Sequence, residues 1–433
     1  MKHWVHHLLR IFEKVLGMAP HGPVFGIDFG TSNSAAGFLE NGKPKLVEMA
    51  PGQTTPPTTF FFDFDTRETL IGEPANTALL NGAEGRFMRA LKRVLGTSLM
   101  HEKRQILNES VTFVDIISRF LARIKERAET QCGATIDQAL SGRPVVFHAT
   151  ADPREEQAEA DLRACYLAAG FSQVDFMPEP VAAAISSGAL GQTDQIGLIV
   201  DIGGGTSDFS LFRTHAAQVE ILANHGVRIG GTDFDRAINV DLVMPLLGKG
   251  TKLRKVMGPG TSPTPAAIFN DLATWEKIPF LYTPQNRRMV DEMARMAEEP
   301  KKLARLSTVL HDELGHDLAF AVERGKIAAN TQSSDAEISL AQIERDLCVP
   351  VSMTRLAPSL NPFEHKLSEA ARETLKQGCI ATNKVDCMVY VGGSSLMSTV
   401  TASMKSVFPD AEHRFSEVFT AVADGLSIAA NRS

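Results

Sequence analysis

Gly26-Ile27-Asp28-Phe29-Gly30-Thr31-Ser32 and Val200-Asp201-Ile202-Gly203-Gly204-Gly205-Thr206-Ser207 are the two stretches whose reading decides the fold. They are built alike. An apolar, strand-like run feeds an Asp, glycine follows, then a Thr-Ser pair, and strand-like sequence resumes. Glycine lets a backbone turn sharply and brings its N–H groups close to an anion. An Asp can hold a hydrated divalent cation, and Thr or Ser hydroxyls reach phosphate oxygens. One such turn alone would be an ordinary tight turn. Two of them, from two halves of one chain, describe a clamp for a polyphosphate and its metal.

The surroundings of each turn repeat as well. After Asp28 the chain runs through Ala35-Ala36-Gly37-Phe38-Leu39, turns at Asn41-Gly42 and returns through Lys45-Leu46-Val47. Asn-Gly between strand-like runs is a strong hairpin signal. After Asp201, Asp208-Phe209-Ser210-Leu211-Phe212 runs out and Ala217 to Leu222 comes back. A loop opening a hairpin, twice, predicts a duplicated α/β fold. In a dinucleotide fold a helix would follow the glycine loop at once. Val145-Val146-Phe147 reads as another buried strand. Asp152-Pro153 reads as the start of a helix, Asp at the N-cap and Pro at the first turn, ending near Gly170. Gly248 to Pro265 reads as an exposed loop, and 290–330 as helical. A third glycine turn, Gly392-Gly393-Ser394-Ser395, follows the apolar run Cys387 to Val391.

Composition sets the frame. A chain of 433 residues is expected to form more than one domain. A net charge of -7 speaks against a broad nucleic-acid-binding face. Five cysteines show no metal-ligand spacing and read as incidental thiols of a reducing cytoplasm. No apolar run is long enough for a transmembrane helix. Residues 1–22 read as an N-terminal extension with an amphipathic stripe through Trp4, Leu8, Leu9, Phe12 and Leu16. It is either a packed extension or a helix docking on a partner or membrane surface, and membrane contact is expected only through residues 1–17. His3, His6 and His7 there read as a solvated face rather than a metal site.

Beyond these residues the chain resembles the ATPase domain of the seventy-kilodalton heat-shock chaperones, and most of all their stand-alone, YegD-type members. The resemblance is carried by Gly26 to Ser34, Thr54-Thr55-Pro56, Glu68 to Ala75, Ala90-Leu91-Lys92-Arg93, Glu179 to Ala184, Asp201 to Asp208, Arg228 to Asp235, Ser352 to Arg355 and Gly392-Gly393-Ser394. It implies the two-lobed fold of the actin, sugar-kinase and heat-shock ATPase superfamily, with duplicated ribonuclease-H-like domains and two inserted subdomains. Lobe I would span 23–190 with an insertion at about 42–111. Lobe II would span 191–433 with an insertion at about 230–330, its last helix returning to lobe I.

The resemblance also implies roles. Lys92 would reach the terminal phosphate and the attacking water, and Glu179 would position or deprotonate that water. Asp28 and Asp201 would hold Mg²⁺, in part through water, with Asp201 and Thr206 acting in the chemistry. Gly30, Thr31, Ser32, Gly203, Gly204 and Gly205 would hold phosphates. Gly230 and Gly231 would line the ribose side, Glu323 and Lys326 would grip ribose and adenine, and Gly392, Gly393 and Ser394 would close over the nucleotide. Ile327 and Leu396 stand where the family carries arginines, which implies weaker or more apolar contact with the base. The implied function is a slow, ATP-hydrolysing conformational switch that binds ATP, ADP and Mg²⁺ in the cytoplasm and works with a protein partner of unknown identity. Chaperones of this class continue into a peptide-binding domain, for which 433 residues leave no room. An actin-like filament ATPase and a small-metabolite kinase are the alternatives within the same superfamily.

Overall fold

The computed structural model describes residues 24–148, 152–188, 191, 194–215, 218–255, 259–331, 335–415 and 420–431. The amphipathic N-terminal stretch lies outside these residues.

Two five-stranded sheets carry the fold. The first has the order β10-β9-β1-β2-β3, with β1 Val24–Asp28, β2 Ala35–Glu40, β3 Lys43–Leu46, β9 Gln138–Arg143 and β10 Gln173–Pro178. β1 pairs antiparallel with β2 and parallel with β9. The second has the order β13-β12-β11-β18-β19, with β11 Ile196–Ile202, β12 Ser207–His215, β13 Gln218–Val227, β18 Cys387–Val391 and β19 Glu412–Arg414. Here β11 pairs antiparallel with β12 and parallel with β18. Strand for strand the two sheets have one topology, β1 matching β11 and β9 matching β18. The Asn41-Gly42 turn has positive φ at both residues, as a two-residue hairpin requires.

Each lobe carries inserted segments. In the first, β4 Thr59–Asp63, β5 Thr69–Ile71 and β6 Gly85–Arg89 form a small sheet, and β7 Arg104–Ile106 pairs with β8 Glu109–Val111. In the second, helices Ala266–Leu272, Pro284–Met296, Pro300–His311 and Gly315–Asn330 build most of the insertion. The first lobe's core is aromatic, with Phe120 packed on Phe29 and Phe60. The second lobe has its own aliphatic core.

A third core joins the lobes. It contains Ala182, Ala183 and Ala184 of helix Glu179–Ser186 with Val422 and Leu426 of helix Ala421–Ala430, beside Ile199 and Val389 of the second sheet. The last helix packs on β1, β2, β9 and helix Glu179–Ser186. Small residues make that approach possible: any Cβ at Gly425 would overlap the carbonyl of Ala182.

Of three local expectations, two differ from the structure. The strand near 145 lies earlier, at Gln138–Arg143, while Val145 to Phe147 is irregular. Pro144 follows Arg143 with no N–H to donate, and the ladder stops there. The helix over Arg154–Ala168 begins as expected: Pro153 already has helical dihedrals, and the Asp152 side chain accepts the Arg154 N–H at 2.9 Å, capping the first turn. Within 248–265, β14 Lys252–Arg254 pairs with β15 Thr261–Pro263, and Thr251 and Thr264 are buried, so this stretch is a short hairpin tied into the lobe.

Candidate functional site

The two hairpin turns and the turn after β18 all open into one cleft of about 1460 Å³ between the lobes. From the first lobe it is lined by Asp28, Gly30, Thr31, Ser32, Lys92 and Glu179. From the second come Asp201, Gly203, Gly204, Gly205, Thr206, Gly231, Glu323, Lys326, Gly392, Gly393 and Ser394. Ile327 and Leu396 also face it. Gly230 is outside the lining. It sits before helix Gly231–Ile238, where any Cβ would overlap the backbone of Gly204 and Gly205.

Backbone bonds fix each turn. Thr58 N–H donates to the Ser32 carbonyl at 2.8 Å, and Ser34 and Thr58 share a hydroxyl bond, so the 56–58 segment braces the first turn. Gly231 N–H donates to the Gly203 carbonyl at 2.9 Å, and the Thr232 hydroxyl donates to the Gly204 carbonyl at 2.6 Å. These bonds tie the start of helix Gly231–Ile238 to the second turn. Asn330 donates to the Leu396 carbonyl at 3.0 Å and accepts from Ser398 N–H at 2.7 Å. That side chain pins the third turn to the helix bearing Glu323 and Lys326. Gly392 has φ 77°, a conformation that strains any other residue.

The electrostatics are those of a crowded anionic site. Lys92 Nζ lies 2.6 Å from Glu179 Oε1, with both side chains largely buried. Burial acts to lower the Lys92 pKa, but Glu179, Asp28 and Asp201 outweigh it and hold the ammonium above its usual value. Asp28 is pushed up to about 7, by burial first and Glu179 second, against the opposing pull of Lys92. Asp208 is pushed up to about 7 for the same reasons. Asp201 is raised well above the ordinary carboxylate range by burial, then by Glu179, Asp208 and Asp28. Four carboxylates thus share one ammonium, a surplus of negative charge that a divalent cation would neutralise. Among the described residues no three acidic, His or Cys side chains converge to chelate an ion directly. A hard cation would therefore be held through its own waters and a ligand's phosphates, as suits Mg²⁺. The residues present fit the group on these terms.

Deeper in lobe II, Lys326 Nζ lies 2.8 Å from Asp235 Oδ1. Burial raises Asp235 to about 6 against the pull of Lys326.

Several residues of the site carry no motif of their own. Asp208 ends a quoted motif, and only its placement shows it to be the fourth carboxylate. Arg93, beside Lys92, lays its guanidinium against Gly205 of the opposite lobe, where any Cβ would overlap it. Arg89 and Trp275 also line the cleft.

Two sheets of one topology, inserted segments on each, and a cleft holding an Asp-Gly-Thr turn from either lobe define a nucleotide-binding ATPase of the actin-like superfamily. A family model described as Hsp70 protein matches residues 24–252, just over half of the 433 residues. The chain belongs to that family. Among the described residues no helix is long and apolar enough to cross a membrane.

Proposed function

We propose that the chain binds ATP with Mg²⁺ between its lobes, hydrolyses it slowly, and works as a nucleotide-dependent conformational switch on or with a partner protein, in the manner of the heat-shock chaperones. The observation that carries this reading is the Lys92–Glu179 pair set among Asp28, Asp201 and Asp208, with carboxylates contributed by both lobes.

The chain's own residues divide the work. Backbone N–H groups of the 30–32 turn and of Gly204 and Gly205, with the hydroxyls of Thr31 and Thr206, hold phosphate oxygens, while the Gly203 N–H is taken by the Thr206 carbonyl at 3.0 Å and shapes the turn. Asp28 and Asp201 hold the hydrated cation, and Asp208 adds charge behind them. When bound, Mg²⁺ neutralises charge on the phosphates and orients them. Lys92 places a cation beside the transferring phosphoryl group. At 4 Å and an effective dielectric near 20, such a contact is worth about 4 kcal/mol. The Glu179 carboxyl group accepts a hydrogen bond from Lys92 and stands where it can orient water or take its proton. The Lys92–Glu179 ion pair fixes both side chains in advance, so little reorganisation is needed at the moment of reaction.

The switch follows from where the ligand sits. Phosphate and metal contacts made to both lobes favour closure, and loss of the terminal phosphate relaxes it. Moving such an equilibrium from 1:99 to 99:1 takes about 5.5 kcal/mol of differential affinity. The third core, between helices Glu179–Ser186 and Ala421–Ala430, is where the lobes pivot.

Single-turnover hydrolysis tests the reading. Lys92→Ala and Asp201→Asn are each expected to cut the rate by roughly 10²–10³, the loss typical of one transition-state stabiliser. Unchanged rates in both would remove them from the chemistry. Nucleotide-dependent sedimentation would point to filaments, and phosphoryl transfer to an added small alcohol to a kinase.

A further inference from the structure

The charged groups of the cleft fall into two sets. The charges acting on Asp28 come from Glu179 and Lys92, and those acting on Asp235 come from Lys326, Glu323 and Arg89. The carboxylates grouped for phosphate and metal therefore stand apart from the Asp235–Lys326 pair. Helix Gly315–Asn330 and the turn after β18 border this second end. Ile327 is 54% exposed there although it faces the cleft. Asn330 stands one turn after Ile327 on the same helix face, and its Nδ2 donates to the Leu396 carbonyl at 3.0 Å. Ile327 and Leu396 therefore border one opening, and both present aliphatic side chains to it.

Polar groups around this opening are already engaged. Asn330 Oδ1 accepts the Ser398 N–H at 2.7 Å, and the Met397 N–H donates to the Ser394 carbonyl at 3.3 Å. The Thr331 hydroxyl donates to the Ala328 carbonyl at 3.0 Å, and the Thr331 N–H to the Ile327 carbonyl at 3.1 Å. Lys326 is paired with Asp235 at 2.8 Å. Asn239 lines the cleft one turn beyond Asp235, but its amide oxygen is sealed from solvent. Glu323, one turn before Ile327 and close enough to Asp235 to raise its pKa, lies on the ribose side. Asn330 keeps one Nδ2 hydrogen to give. Adenine and guanine both offer N7 as an acceptor, and they differ at position 6, an amino donor in one and a carbonyl acceptor in the other. A donor from Asn330 therefore suits either ring. Telling the two apart takes a polar group held ready for one of them, whereas an aliphatic wall holds both by area alone.

We propose that Ile327 and Leu396 form a base seat that grips a purine ring without reading its edge, so that the chain takes guanine nucleotides as readily as adenine nucleotides. The proposal rests on the nucleotide reading above and names its substrate class: purine nucleoside polyphosphates with Mg²⁺, selected by phosphate and ribose rather than by base.

Calorimetry on the full chain tests it, with MgATP, MgGTP and magnesium tripolyphosphate as probes. The Kd values for ATP and GTP are expected to agree within about fivefold, and a larger preference for either overturns the proposal. Ile327→Ala trims the aliphatic wall at an exposed helix position and installs a good helix former, so the fold is kept. It is expected to weaken both nucleotides by a common factor of about three to ten and to leave magnesium tripolyphosphate unchanged. A loss confined to one nucleotide, no loss for either, or an equal loss for tripolyphosphate overturns the seat. A parent that binds ATP but not GTP overturns this proposal while the nucleotide reading stands. A parent that binds neither nucleotide overturns both together.

Discussion

Neutralising one cleft carboxylate is expected to make the metal-depleted protein more stable at pH 8. Burial and then Glu179 push the pKa of Asp208 from 3.8 to about 7. Its folded-state pKa lies above its unfolded value, so the native state binds the proton more tightly. The stability tied to that proton is fully present below pH about 4 and is lost as pH rises through about 7. A rise of about three units corresponds to about 4 kcal/mol for an isolated buried group. Asp208 faces an open cleft where water screens it, so a discounted figure of about 1–2 kcal/mol is the expectation for one group. Asp208→Asn keeps the shape and removes the charge. Urea unfolding with a chelator present is expected to show the variant more stable than the parent by that amount at pH 8, with the advantage shrinking as pH falls and gone below the unfolded value of 3.8. Comparing variant with parent cancels the other titrating groups. Added Mg²⁺ is expected to raise the parent's stability more than the variant's. A variant that is no more stable at pH 8, or whose advantage does not change with pH, would refute the crowded-carboxylate account.

Other outcomes follow from single contacts. Gly425→Ala places a methyl onto the Ala182 carbonyl and is expected to cost about 1–3 kcal/mol in urea unfolding; a loss below ~0.5 would mean the helix approach can relax. Asn330→Ala removes both bonds that pin the 392–398 turn and is expected to cost about 1–3 kcal/mol, read in the same assay; equal stability would mean other contacts hold the turn. Ile327 faces the cleft at 54% exposure, and Ile327→Arg is expected to tighten ATP binding a few-fold by offering a cation to the base, read by calorimetry; unchanged or weaker binding would place the base elsewhere.

The sheets were legible in the sequence because their signals are local and repeated. An Asp-glycine-Thr turn with a hairpin after it needs no tertiary information, and the Asn41-Gly42 turn fixes its register by backbone conformation alone. Strand β9 was hidden because its residues answer to neighbours rather than to strand propensity. Ser141 accepts a bond from the buried Tyr166 hydroxyl at 2.9 Å, and a Cβ at Gly142 would sit 3.2 Å from Glu179 Cγ. Small, partly polar residues in a buried strand lose the apolar signature, and Val145 to Phe147 took its place. The hairpin in 248–265 was masked by glycine and proline content, since its strands are only three residues each. At the site, motif residues could be named from the chain, whereas Arg93, Arg89 and Trp275 are single residues whose meaning depends on the lobe they face. Lys92 and Glu179 stand between these cases. Either alone reads as a surface lysine or a helix-entry glutamate, and it is the 2.6 Å ion pair that makes them one unit.

The switch requires one nucleotide to be held by both halves of the molecule. Calorimetric titration of MgATP into the parent, Asp28→Asn and Asp201→Asn tests this most directly, since the two substitutions lie in different lobes. One site per chain is expected in the parent, weakened about tenfold or more by each substitution. No heat in the parent, or an Asp28→Asn or Asp201→Asn protein that binds as tightly as the parent, would contradict it.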